Sequence, residues 1–261
     1  MTIRETELIP PLPDYSERVI ILIDLLGFTR DVQLIDDRPG LLLSIRSVLS
    51  AIANFKRGLE RERAAGKLKF DARLTHGSDS LLLSYRLEHG ACSRAIAHAA
   101  YLGNVCVRRG YLPRGVITIG KLDHDDAVLY GLGLIDALKI EKTSIIEPRI
   151  AVLPRIMDLV RKDTASSGEI AAWEPFIRNR GSGEFVHILG SEWPFLKKMA
   201  AEGDDGVKDM FRELKDMLPI RYSNATDDKQ RLKIEWMADY VNDSIIEHNL
   251  PDEWKVKLHA D

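Results

Sequence analysis

The segment Arg18-Val19-Ile20-Ile21-Leu22-Ile23-Asp24-Leu25-Leu26-Gly27-Phe28-Thr29 decides how this chain folds. Val19 to Ile23 is short, continuously apolar and rich in β-branched residues, the pattern of a buried strand. Asp24 ends that run. A carboxylate at the tip of a buried strand is costly without a partner, and a divalent cation is a natural one. Gly27 then turns the chain into a helix, whose free N–H groups suit a phosphate. The competing reading is an aspartate that caps this helix, and the segment alone leaves the two even.

Outward from there, Leu42, Ile45, Leu49, Ile52 and Leu59 recur at helical spacing. They predict a helix over Pro39 to Ala65, ended by Gly66. Lys67 to Thr75 alternates, Ser80 to Tyr85 is a second apolar run, and His76-Gly77-Ser78-Asp79 lies between them, so a hairpin is expected. A helix over Ala91 to Arg109 and a strand over Arg114 to Gly120 follow. Asp123-His124-Asp125-Asp126 reads as a solvated turn. Gly131 and Gly133 lead into a helix running to Lys142, and Ile145 to Leu153 suits a further strand.

This order predicts an α+β fold of the ferredoxin-like type, a mostly antiparallel sheet with interleaved helices. Beyond Pro154 the chain becomes largely helical, with amphipathic stretches at Arg155 to Arg161, Val207 to Leu218 and Lys229 to Asn249. A short strand at Glu184 to Leu189 interrupts them. The expected organisation is a core over 1–153 and an extension over 154–261 packed on it. Trp173, Trp193, Trp236 and Trp254 all fall in that extension, as anchors of packing or of a dimer contact.

The 261 residues are 45% hydrophobic and 30% charged, with a formal net charge of -3. That is the composition of a soluble globular protein without the basic surplus of a general nucleic-acid binder. The two cysteines, Cys92 and Cys106, lie in apolar sequence and read as buried free thiols, not a disulfide framework or zinc site. Met1 to Arg18 carries Arg4, Glu5, Glu7, Asp14 and Glu17, unlike a signal peptide. The apolar runs fall far short of the ~20 residues that span a bilayer. A cytoplasmic protein, not attached to a membrane, is expected.

Asp79 stands directly before the second apolar strand of the hairpin. An acidic residue there is ordinarily turn chemistry. Two carboxylates at neighbouring strand ends, however, can hold two metal ions and activate an oxygen nucleophile. His76 and His124 are expected near such a site, where each reads as structural or exposed before it reads as a general base.

Four motifs now stand in order: Asp24-Leu25-Leu26-Gly27-Phe28, Gly77-Ser78-Asp79, Arg114-Gly115-Val116-Ile117-Thr118-Ile119-Gly120, and Tyr130-Gly131 through Ala137, Lys139 and Glu141. Together they resemble the catalytic motifs of the class III nucleotidyl cyclases, from Arg18 to Arg149, with Ser78 as one inserted residue. Where that family's last helix carries Asn and Arg on the reacting phosphate, this chain has Ile135 and Lys139. The family's purine-selecting Lys is missing near Leu74 and Thr75, and its acidic partner is replaced by Leu132. That erosion, with Glu147-Pro148-Arg149-Ile150, is similar to the bacterial Pycsar anti-phage pyrimidine cyclases.

The resemblance implies conversion of UTP, ahead of CTP, to the 3′,5′-cyclic monophosphate and pyrophosphate. The alternatives are a purine cyclase or a degenerate nucleotide-binding domain. It further implies two Mg2+ or Mn2+ ions held at Asp24, Leu25 and Asp79. The backbone from Leu25 through Leu26 and Gly27 to Phe28 would cradle the phosphates, with Lys139 catalytic and Arg114 and Lys142 on the substrate. A homodimer with active sites at its interface, and a separately encoded effector activated by the product, complete the implied assembly.

Overall fold

The computed structural model describes residues 15–167, 173–181, 183–190 and 206–259. Its centre is the strand read first, β1 (Ser16–Leu26). It is flanked antiparallel by β3 (Ser80–Arg86) and β4 (Leu112–His124). β2 (Ala72–His76) extends the β3 edge. A two-residue β5 (Leu129–Tyr130) pairs with the end of β4. Beyond β4 the sheet continues through β6 (Ile150–Val152), which runs parallel to it, to β8 (Glu184–Val186) and β7 (Ile177–Asn179). The sheet is therefore mostly antiparallel, and the α+β class is as expected.

Seven helices lie among the described residues: α1 (Phe28–Gln33), α2 (Gly40–Ala64), α3 (Ala91–Val107), α4 (Leu132–Ser144), α5 (Pro154–Ser167), α6 (Gly206–Ser223) and α7 (Asp228–Glu247). The period of two along β1 sorts them onto two faces. Val19, Ile21, Ile23 and Leu25 join the main core with residues of α2, α3, α5, α6 and α7, so residues on both sides of position 153 share that core. Ile20 and Leu22 point the other way, with Leu82 and Val116, against Ala137 of α4. Asp24 comes next on this second face, at its end. α4 lies very close to the sheet: a Cβ on Gly120 would stand 2.5 Å from Gly133 Cα.

Several expectations need correction. The first hairpin strand begins at Ala72 instead of Lys67, although Phe70 before it is still buried. β6 spans three residues of the stretch expected from Ile145 to Leu153. Asp123 and His124 are buried strand residues, not a solvated turn. The reason is pairing: Asp123 and His124 are opposite Tyr130 and Leu129. The turn proper starts at Asp125, whose carboxylate accepts the N–H groups of Ala127 and Val128 at 2.7 and 2.8 Å. Trp173 donates its indole N–H to Thr164 Oγ1 at 2.9 Å, and Trp236 packs on Phe185 and Tyr240. Trp193 and the leader up to Asp14 lie outside the described residues.

Candidate active site

Asp24 sits two residues inside the end of β1, opposite Ser80 on β3 and Arg114 on β4. It does not cap the helix that follows. Gly27 is the N-cap of α1, with φ +86° and no side chain to bond. Asp24 is thereby left for another partner. Its carboxylate accepts a hydrogen bond from Arg114 Nη2 at 3.2 Å, and the same guanidinium is ion-paired with the buried Glu141 of α4.

Asp79 is brought beside this pair by the backbone. The Leu25 N–H donates to the Asp79 carbonyl at 2.7 Å, which ties the tip of the hairpin to the residue next to Asp24. The inserted Ser78 is absorbed within the turn, which Gly77 N–H closes onto Ser80 C=O at 2.8 Å. The Asp79 side chain accepts hydrogen bonds from Thr29 and Ser78 hydroxyls, both at 3.2 Å. Asp24 feels the consequences of this assembly. Burial raises its pKa above the ordinary carboxylate value; Arg114 opposes the rise, while the charges of Glu141 and Asp79 add to it. Three carboxylates thus converge where one arginine cannot neutralise them all.

The remaining sequence candidates divide. Leu25 keeps its place next to Asp24, but its N–H is committed to Asp79 and is not free for a phosphate. Leu26, Gly27 and Phe28 form the turn itself, with Phe28 buried against Tyr111. Arg114 is at the site, held by two carboxylates. Lys139 and Lys142 lie on the exposed side of α4, and neither side chain pairs with a described residue. Ile135 is likewise exposed.

His124 is not at the carboxylates. Its ring lies over the sheet, with Nδ1 2.8 Å from Ser84 Oγ and Nε2 3.0 Å from Thr75 Oγ1. Arg18 Nε donates to Ser84 Oγ at 2.9 Å, so Arg18, Ser84, His124 and Thr75 form one hydrogen-bonded chain across the sheet. Burial, with Arg18 and Arg73 nearby, lowers the His124 pKa to about 4 and keeps the ring neutral. His76 stays at the hairpin, its Nδ1 3.4 Å from Gly77 C=O.

Sequence reasoning missed two residues as members of this site. Glu141 stood inside a quoted motif, and its position on the buried side of α4 was the available signal. Arg221 of α6 came from the C-terminal third, where no motif marked it. Arg221 Nη2 donates to Gly110 C=O at 2.7 Å, Nη1 lies 3.5 Å from Leu26 C=O, and the Asp31 carboxylate is 3.5 Å away. It therefore packs directly beneath the Gly27 turn. A second group with metal-ligand chemistry, His187, Glu247 and His248, lies elsewhere. Arg178 fills it, ion-paired with Glu247 and 3.3 Å from His187 Nε2.

No protein-family model matches the chain, and no curated protein matches it. Among solved structures, the chain is similar to a bacterial light-regulated adenylyl cyclase at 12% identity and a TM-score of 0.42. The match covers 75% of this chain and spans 58% of the length of that one. No helix among the described residues is long and apolar enough to cross a membrane.

Proposed function

We propose that the chain is a metal-dependent nucleotidyl cyclase whose substrate is a pyrimidine nucleoside triphosphate, UTP ahead of CTP. The observation that carries the reading is the Leu25–Asp79 backbone bond, which sets Asp79 beside Asp24 on adjacent strand ends in spite of the inserted Ser78. The donor set fits Mg2+ or Mn2+: hard carboxylate oxygens, one of them with its pKa raised by burial and like charge, in a cluster short of positive charge. Asp24 and Asp79 would hold the ions, with Leu25 contributing through its backbone. Bound there, divalent ions acidify a hydroxyl and neutralise a triphosphate.

The chain's own residues orient the reaction. The turn from Leu26 to Phe28 faces the phosphates. The ribose 3′-hydroxyl loses its proton to solvent, and its oxygen forms a bond to the α-phosphorus as the bond to the β-phosphate oxygen breaks, releasing pyrophosphate. In the free protein Arg114 neutralises part of the carboxylate cluster, and on substrate binding it would turn from Asp24 toward a phosphate oxygen. Lys139 and Lys142, exposed on α4, would serve the site of a second copy. Apolar side chains exposed on the same helix support that homodimer, with Leu132 and Ile135 62% and 60% exposed. The pyrimidine preference, the messenger role in anti-phage defence and the separate effector rest on the motif resemblance.

The test is incubation of the purified chain with each of the four ribonucleoside triphosphates and Mn2+, with identification of the products. Cyclic UMP is expected to dominate. A purine cyclic product would overturn the base assignment, and triphosphate binding without any cyclic product would show a degenerate domain.

A further inference from the structure

Away from the strand-end carboxylates, the far edge of the sheet and the end of α7 bring a second set of metal-ligand side chains together. His187 follows β8 directly, and its backbone N–H donates to Phe176 C=O at 2.7 Å, which extends the β7–β8 pairing and fixes the residue in place. Glu247 is the last residue of α7 and His248 its C-cap, with the His248 N–H still bonded to Ser244 C=O at 3.0 Å. Asn249, at φ +51°, then turns the chain away from the helix. One ligand atom from each of His187, Glu247 and His248 lies within 4.8 Å of the other two. The two imidazole rings stack with centroids 6.0 Å apart.

The His187 ring is already held as a ligand would be. Arg178, on β7, directs a guanidinium N–H at its Nε2, 3.3 Å away. A guanidinium carries donors only, so Nε2 presents its lone pair and the proton of the neutral ring is on Nδ1. Nδ1–H donates to Tyr240 Oη at 2.7 Å, and the same oxygen accepts the Leu189 N–H at 3.2 Å. A ligating histidine characteristically has its second ring nitrogen held in this way, which fixes both tautomer and orientation. Burial, with Arg178 and His248 nearby, keeps the ring neutral. His187 is buried, whereas the Arg178 and Glu247 side chains are 36% and 41% exposed. The cluster is therefore closed toward solvent by an arginine of the edge strand, ion-paired with Glu247 on a side chain long enough to swing outward.

We propose that His187, Glu247 and His248 form a site for a divalent transition metal of the Zn2+ class, closed by Arg178 as a substitute cation when no ion is bound. Two imidazole nitrogens and one carboxylate oxygen are a borderline donor set. It suits Zn2+ or Co2+, and not Mg2+, which takes oxygen ligands. A tetrahedral ion with bonds of about 2.0–2.1 Å holds its ligand atoms about 3.4 Å apart. The cluster must therefore close in from at most 4.8 Å. Side-chain rotation of the exposed Glu247 and the half-buried His248, both at a helix end, supplies that movement. The guanidinium meets one carboxylate and one nitrogen with a single positive charge. A metal ion takes the same two partners with twice the charge and adds His248. Its structural effect is to tie the end of α7 to the β8 side of the sheet. The proposal is independent of the cyclase reading and of the Asp24 cluster, whose oxygen donors suit Mg2+ or Mn2+.

The test titrates the full-length protein, stripped of metal with a chelator, with Zn2+ by calorimetry and with Co2+ by visible absorption. Asp24→Asn is the background throughout, so that the strand-end carboxylates do not compete for the ion. One equivalent of Zn2+ should bind, and Co2+ should give the visible bands of a tetrahedral, nitrogen-ligated ion. His248→Gln and Glu247→Gln should each weaken Zn2+ binding about one-hundredfold. Tyr240→Phe, which keeps the ring packing and removes the oxygen that holds Nδ1, should weaken it about tenfold. Arg178→Met should strengthen it about tenfold, the scale of one ion pair no longer displaced. Zn2+ should also raise the melting temperature of the background protein and leave that of His248→Gln unchanged. An absence of calorimetric Zn2+ binding would overturn the proposal. So would an affinity that stays within twofold in both His248→Gln and Glu247→Gln, or one that falls in Arg178→Met; the cluster would then be an Arg178 ion pair alone. Should Tyr240→Phe fold poorly, the His248 and Glu247 variants, at the solvent end of the helix, still decide the question.

Discussion

Replacing Asp24 by Asn separates the cost of the carboxylate cluster from its use. In the metal-free protein the substitution removes one of three converging negative charges and keeps an oxygen for Arg114 Nη2, now 3.2 Å from Asp24 Oδ2. Because burial, Glu141 and Asp79 outweigh Arg114 in disfavouring the ionised form, the sign of the change is toward stability. Its size is about 1 kcal/mol, the scale of one screened charge pair. For a chain of this length that raises the melting temperature by about 2–4 °C. With Mn2+ at one hundred times its dissociation constant, the parent gains about 2.7 kcal/mol from ligation. The corresponding rise is about 5–10 °C, and Asp24→Asn should lose it together with turnover. Scanning calorimetry of both proteins with and without Mn2+ reads all four states. A metal-free Asp24→Asn protein destabilised by more than about 2 kcal/mol would mean that Asp24 is a structural ion-pair partner of Arg114. An undiminished Mn2+ shift would remove it from the metal site.

The other predictions concern the support of the site. Gly120→Ala would drive a methyl group against the Gly133 backbone, and should destabilise the protein by about 1–3 kcal/mol while reducing turnover as α4 carries Glu141 away; melting and activity measured together check this, and a fully active variant of parental stability would refute it. His124 and His187 are buried and neutral, with pKa values lowered to about 4 and about 3. Both contribute stability that is present above the unfolded value near 6.5 and lost as the pH falls toward the folded values. Denaturant titrations between pH 7 and pH 4 should therefore show stability falling by up to about 1.4 kcal/mol per pH unit for each ring. His124→Gln should flatten that slope, and an unchanged slope would place the acid sensitivity elsewhere.

The sequence carried the local structure well where a single period dominated. Val19 to Ile23 could only be a strand buried on both faces, and α2 matched its expected bounds closely because its apolar spacing and terminal Gly66 agree. It carried less where pairing decides. Lys67 to Phe70 alternates like a strand, yet β2 starts at Ala72. Asp123 and His124 look like turn residues, yet β5 draws them into β4 and under the surface. No local pattern reports which partner a strand end will find.

Asp24 and Asp79 were legible as candidates because Asp24 ends one apolar run and Asp79 stands directly before another, and their order along the chain suggested a pair. What the sequence by itself determined is this set of strand-end carboxylates, the glycine turn after one of them and the helix that carries Glu141. Only the tertiary structure decided which charges meet. The Leu25–Asp79 bond absorbs Ser78, Arg114 falls between Asp24 and Glu141, and Arg221 arrives from nearly two hundred residues away. The physical reason is range: strand and helix patterns are set by neighbours a few residues apart, whereas a charge responds to whatever the folded chain brings within several ångströms.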